Sequence, residues 1–115
     1  MALRDEQIRE CFREAGAFLE RRRPRAEIRD KLDYRADIVG SDLVIVAVRP
    51  AFQEPTRKTD EHIAKLKWVG TRRVWRLFWM RADLKWHSYE PMPEAATVAA
   101  GLEEVERDPY GCFFG

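Results

Sequence analysis

Between Trp75 and Tyr89 the chain reads WRLFWMRADLKWHSY, and the alternation within that stretch narrows the fold more than any other feature. Successive side chains of a strand point to opposite faces. Trp75, Leu77 and Trp79 therefore share one face, and Val74, Arg76, Phe78 and Met80 share the other. Bulky residues on both faces predict a central strand. Four Trp, six Phe and three Tyr in 115 residues supply enough apolar surface to order a packed domain, which argues against disorder.

The flanking segments extend this strand into a meander. Residues 63–68 are predicted as a strand ending at the Gly70-Thr71 turn, 74–81 as the next, and 84–89 as a third after Ala82-Asp83. Upstream, Leu32, Tyr34, Ala36 and Ile38 alternate with Asp33, Arg35 and Asp37, the pattern of a strand with one wet face. Gly40-Ser41 supplies a turn, and the apolar run 43–48 is expected to be a strand covered on both faces, ending at Arg49-Pro50. Residues 50–60, with two prolines, read as the longest loop.

Helices bracket the strands. Ile8, Cys11, Phe12, Ala15, Phe18 and Leu19 recur at steps of three and four, so residues 3–23 are predicted helical, with Arg21-Arg22-Arg23 suiting the dipole and Pro24 as the stop. A second helix is expected over 94–106, with Thr97 as an alternative cap and Ala95, Val98, Leu102 and Val105 as its inner stripe. The ending Tyr110-Gly111-Cys112-Phe113-Phe114-Gly115 is expected to dock on the body of the protein. The expected fold is a single α+β domain over 1–115: an N-terminal helix, a mainly antiparallel five-stranded sheet made of a hairpin plus the Trp-rich meander, a C-terminal helix and a docked aromatic tail.

Arg49-Pro50, Ala64-Lys65, the run from Trp75 to Tyr89 and the ending from Asp108 to Gly115 together resemble a family of short bacterial proteins, domain of unknown function three thousand and twenty-four. The resemblance covers the chain from about Arg29 onward. It implies a stand-alone bacterial protein of this size and no particular chemistry.

Charge is nearly balanced, at +1 for the chain, and gives no global signal for nucleic acid or a membrane surface. Locally it is uneven. From Glu61 to Glu90, Lys65, Lys67, Arg72, Arg73, Arg76, Arg81 and Lys85 stand against Glu61, Asp83 and Glu90, leaving +4. From Pro91 onward Arg107 stands against Glu94, Glu103, Glu104, Glu106 and Asp108, leaving −4. Two faces of one domain that partly neutralise each other would account for this. The charged N-terminus lacks an apolar core and no run approaches the length of a membrane span, so a cytoplasmic protein with reduced thiols is expected, with no membrane role.

Most catalytic chemistries lack their residues. Cys11 and Cys112 have no CxxC spacing and Cys11 falls on an apolar stripe; Ser41 and Ser88 sit in no nucleophile elbow. The glycines form no phosphate loop. A nuclease core would need an acid two residues before a lysine. Lys65 occupies that place before Lys67, and Asp37, Asp42 and Glu54 have no lysine in register. A metal would need His62 and His87 together with Asp83 or Glu90, and no motif supports that, so neither metal nor cofactor is assigned.

What stays open is a basic, aromatic surface: Arg49, Lys65, Lys67, Arg76, Arg81, Lys85, Trp86 and His87 are the candidate binding residues. The favoured reading is a non-catalytic binding module for nucleic acid or a protein partner. The plain structural reading is a sheet core whose cations pack over rings. A small enzyme with His87 as general base, supported by Asp83, Arg81 and Glu90, is the alternative, and a homo-oligomer built on the tail or an edge strand is another. Arg49 would clamp a carboxylate or phosphate or else pair with Asp60, Glu61 or a helix-end carboxylate.

Overall fold

The computed structural model describes residues 3–115; Met1 and Ala2 lie outside them. Helix α1 spans Asp5–Arg22, and a single 3-10 turn at Ala26–Ile28 follows. Six strands come next: β1 Asp33–Val39, β2 Asp42–Pro50, β3 Lys58–Val69, β4 Val74–Met80, β5 Trp86–Ser88 and β6 Glu94–Ala95. Helix α2, Val98–Arg107, closes the order. The sheet is antiparallel in the order β1-β2-β3-β4-β5, with β6 also paired to β4. This is the expected α+β arrangement, with one strand more.

The extra strand has a local cause. After Ser88 the chain turns inward at Tyr89, whose ring is fully buried and whose N–H donates to Leu77 O (2.9 Å). Pro91 and Pro93 then bend it back, Leu77 N–H reaches Pro93 O (3.0 Å), and Glu94–Ala95 rejoins the same edge of β4. The second helix therefore begins at Val98, not at residue 94. Thr97 is its cap, its hydroxyl accepting from Ala100 N–H (3.1 Å).

Two other boundaries move. Strand β3 starts at Lys58, so the loop between β2 and β3 is shorter than the sequence suggests. Strand β5 loses Leu84 and Lys85 to a turn in which Leu84 takes φ +61°, Leu84 N–H donates to Arg81 O (2.8 Å) and Asp83 Oδ1 accepts from Lys85 N–H (3.0 Å).

Both helices pack on one face of the sheet. Cys11, Ala15 and Phe18 of α1 and Val98, Leu102 and Val105 of α2 form one core with Leu43, Ile45, Leu66, Trp75, Leu77 and Tyr89. Gly101 lets α2 come close: a Cβ there would lie 2.7 Å from Leu66 Cδ2. Arg21 Nε joins the helices through Glu106 Oε1 (2.6 Å), and Tyr89 OH donates to Glu104 Oε2 (2.6 Å). Burial, then the bond to Glu104, pushes the Tyr89 hydroxyl well above the usual tyrosine range.

The tail docks as its aromatics demand. Asp108 ends α2 in the left-handed region, φ +43°, and its carboxylate accepts from Phe113 N–H (3.0 Å) and Phe114 N–H (2.8 Å). Phe113 is buried against Tyr89, ring centroids 4.8 Å apart, which at about 1.5–3 kcal/mol for a buried Phe fastens the terminus. Phe114 meets Phe18 and Tyr34, with Arg22 over its ring. Tyr110 alone of the three aromatics stays exposed. Both cysteines are free; burial raises the Cys11 thiol to about 11, and Cys112 is raised for the same first cause, so both stay protonated and weakly nucleophilic.

Candidate binding surface

Register assigns each strand residue to a face. Leu43, Ile45 and Ala47 of β2 join the helix-covered core, so Val44, Val46 and Val48 point the other way. Val44 and Val46 are buried but lie apart from the main core, under side chains of their own face. Burial on both sides of β2, expected from its apolar run, is therefore achieved with helices on one side only.

A bulge between β2 and β3 decides what the open face carries. Ile45 pairs with Ala64 and Val46 with His62, leaving Ile63 without a partner. Ile63 and Ala64 both turn into the core, while His62 and Lys65 both land on the open face. Simple alternation along 63–68 would have placed Ile63 beside Lys65.

On that face Lys65 lies opposite Phe78, Lys67 opposite Arg76, and Met80 opposite Trp86. Lys65 Nζ sits 4.7 Å from the centre of the Phe78 ring and 5.2 Å from that of Trp86. Arg76 lies 5.0 Å over Phe78, and the His62 ring tilts against Trp86 at 5.7 Å. Burial, first, depresses the Lys65 ammonium below lysine's ordinary value; Asp42 opposes this and Lys67 adds to it. Asp42 pairs in register with Lys67, Oδ1 to Nζ 3.8 Å, and is the acid of this half of the face. Towards β1 the charges are paired: Arg35 binds Asp37 (2.9 Å) and Asp60 (2.8 Å), and Arg35 holds the Asp60 carboxyl below its usual range.

The tryptophans divide accordingly. Trp75 is buried, Trp68 tilts on it at 5.3 Å, and Trp79 packs against the core. Trp86 is the one on the open face.

Of the candidate binding residues, Lys65, Lys67, Arg76 and Trp86 come together. Arg49 does not: it lies at the far end of β2, its Nε paired with Glu61 Oε2 (3.1 Å). Arg81 stands over Trp79 at 5.4 Å, on the core side of β4, and Lys85 is exposed in the β4–β5 turn. His87 pairs with Trp79 on the edge strand, half-exposed, its Nε2 2.8 Å from Asp83 Oδ2. The bond to His87 is the chief cause that holds Asp83 below its usual range. Glu90 is exposed beyond β5. His62 and His87 are engaged separately, and no group of three or more metal-ligating side chains converges among the described residues. No helix among them is long and apolar enough to cross a membrane.

Two features escaped the sequence. His62 joins Trp86 only because of the bulge, which no local residue announces. A cleft of about 610 Å³ opens where β3 outruns β4, lined by residues 59–63, 80–82, Leu84 and Phe113. It exists because β3 begins six residues before Ala64, the first of its residues to pair with β4.

Fold and surface together describe a small α+β protein with one helix-covered face and one open, cation-bearing face. Residues 3–115 match the family described as a domain of unknown function, DUF3024, and the chain belongs to that family. No curated protein and no solved structure matches it.

Proposed function

We propose that the protein is a non-catalytic binding module that holds single-stranded nucleic acid on the open face of its sheet. One observation carries this reading: Lys65 sits between the Phe78 and Trp86 rings, beside Lys67 and Arg76, on a sheet face that no helix of the described residues covers. Rings offer stacking to any base, worth about 1–3 kcal/mol each, and cations beside them take the phosphates. Trp86, tilted and half-exposed, is the stacking ring; Lys65, Lys67 and Arg76 are the phosphate contacts. Such a surface fits a strand whose bases are splayed outward better than a duplex, whose bases are stacked on one another.

Titrating a labelled oligo-dT strand at increasing salt tests this. Three phosphate contacts at roughly 0.7 each predict a log–log salt slope of about −2. Binding should quench Trp86 and vanish in the K65A/K67A/R76A triple variant. Absence of salt-dependent binding would sink the proposal.

The Asp83–His87 pair favours a second reading, in which the carboxylate orients His87 as a general base. The pair also closes the β4–β5 turn, and His87 is outside the lining of the cleft. Hydrolysis of ester and phosphoester panels by the native chain, abolished in His87→Ala, would establish it; equal rates in the two would end it.

A further inference from the structure

Strand β3 is longer than either of its neighbours needs. From Lys58 to Ile63 it pairs with β2 on one side, while its pairing with β4 begins only at Ala64. The other side of those residues is an open strand edge, and it forms one wall of the cleft. At about 3.3 Å per residue the edge runs for roughly 20 Å.

The direction of its backbone groups can be worked out. Ala51 N–H donates to Arg57 O (2.8 Å), which continues the β2–β3 register by one step beyond Pro50 and Lys58. Hydrogen-bonded and non-bonded pairs alternate along an antiparallel ladder. Thr59 and Glu61 therefore face β2, and the N–H and C=O groups of Lys58, Asp60 and His62 face the cleft. Residues 58–62 are all exposed, and no backbone partner pairs with these groups on that side among the described residues.

Edge strands in soluble proteins are ordinarily blunted, and the charges of Lys58 and Asp60 serve that end against a second copy. Antiparallel self-pairing centred on Asp60 would set it against its own image and Lys58 against His62. A foreign strand escapes this clash. The opposite wall suits one: Leu84 is 81% exposed, and Met80 and Phe113 supply an apolar lining. Arg81 lines the cleft with its guanidinium over Trp79 and takes part in no ion pair among the described residues. Both acids on the edge have cation partners, Asp60 sharing Arg35 with Asp37 and Glu61 pairing with Arg49.

We propose that this cleft is a strand-addition site: an extended, acidic segment of a partner protein pairs with the Lys58–Ile63 edge of β3 and places a carboxylate on Arg81. Main-chain bonds to Lys58, Asp60 and His62 supply affinity, and Arg81 with Leu84 supplies selection. The site shares none of the cations assigned to the open face, so it stands or falls independently of nucleic-acid binding.

The probe is a synthetic Val-Glu-Val-Glu-Val-Glu peptide, added to the full chain and followed by NMR amide exchange. Exchange at Lys58, Asp60 and His62 should slow about tenfold or more at saturation. N-methylation of alternate peptide residues on the pairing side should abolish binding, because it removes the donors while keeping the side chains. Arg81→Glu, a change at an exposed position, should weaken binding by about tenfold with an unaltered spectrum elsewhere. Undiminished affinity of the N-methylated peptide, or no binding by the parent peptide, would overturn the proposal. So would protection confined to Lys65, Phe78 and Trp86, or a dimer of the chain alone that protects the same three edge amides.

Discussion

The two faces of the sheet are built from the same strands, and often from adjacent residues, yet they are solved differently. On the covered face, Phe18, Leu66, Leu77 and Tyr89 are fully buried between sheet and helices. On the open face, Lys65 and Arg76 lie across Phe78 and Trp86 where a helix would otherwise lie. Their long stems shield part of the apolar surface while the charged ends stay within reach of water. A covered face gains stability from volume fitted to volume. An open face carrying cations over rings gives up some of that gain and keeps groups that a ligand can displace.

If that contrast is sound, truncation should be costly on one face and cheap on the other. Phe18→Ala should show the largest effect: the ring is fully buried and Phe114 and the core rest on it, so a loss of about 3–5 kcal/mol is expected in urea unfolding. A loss under about 1 kcal/mol would mean the covered face is not the stabilising one. Gly101→Val comes next. Its Cβ would press on Leu66 and Leu77, and either the leucines leave their rotamers or α2 lifts, at about 1–3 kcal/mol by thermal melting. A neutral result would show that α2 packs more loosely on the sheet than the 2.7 Å approach implies.

How much of this contrast was legible in the chain depends on the range of the interaction. The Trp75/Leu77/Trp79 alternation placed the core face of β4 correctly, because a period of two needs only one strand to be read. The tail was legible from its apolarity, whereas its anchor, Asp108 accepting from two following amides, depends on the left-handed turn that ends α2. Residues 94–97 read as helical because Ala95 falls on one stripe with Val98, Leu102 and Val105. Glu94 and Ala95 pair with β4 instead, since Pro91 and Pro93 aim the chain back along that edge. The bulge at Ile63 is set by the fit of β3 to β2, a long-range matter, so the move of His62 to Trp86 could not be seen locally. For the same reason the list of basic candidates mixed Lys65, Lys67 and Arg76 with Arg49 and Arg81, which face elsewhere.

Tyr89 sharpens the comparison from the covered side by pH. Its hydroxyl is raised above tyrosine's ordinary 10.0, first by burial and then by Glu104, so the neutral form is the one the fold favours. The stability it contributes is complete below the unfolded value and is lost as pH rises above about 10, where the unfolded chain releases the proton and the folded one does not. Tyr89→Phe should remove that alkaline loss. At neutral pH it should cost about 1–2 kcal/mol, because Glu104 Oε2 loses its donor. A native chain whose denaturation midpoint is flat from pH 8 to 11 would contradict this.

Trp86→Ala should have the smallest effect on stability. The ring is half-exposed and is held by Lys65 and His62 rather than by the core, so at most about 1.5 kcal/mol is expected, below the value for a fully buried ring. The same change should cost about 1–3 kcal/mol of binding to oligo-dT, the worth of one stacked base. That is the reverse of the pattern for Phe18, where stability falls and any binding lost follows from unfolding. A Trp86→Phe variant separates ring from bulk: it should recover most of the binding, because a phenyl face still stacks and still receives Lys65. Recovery of stability without recovery of binding would show that the open face uses Trp86 as packing, and that the cations across it are part of the fold.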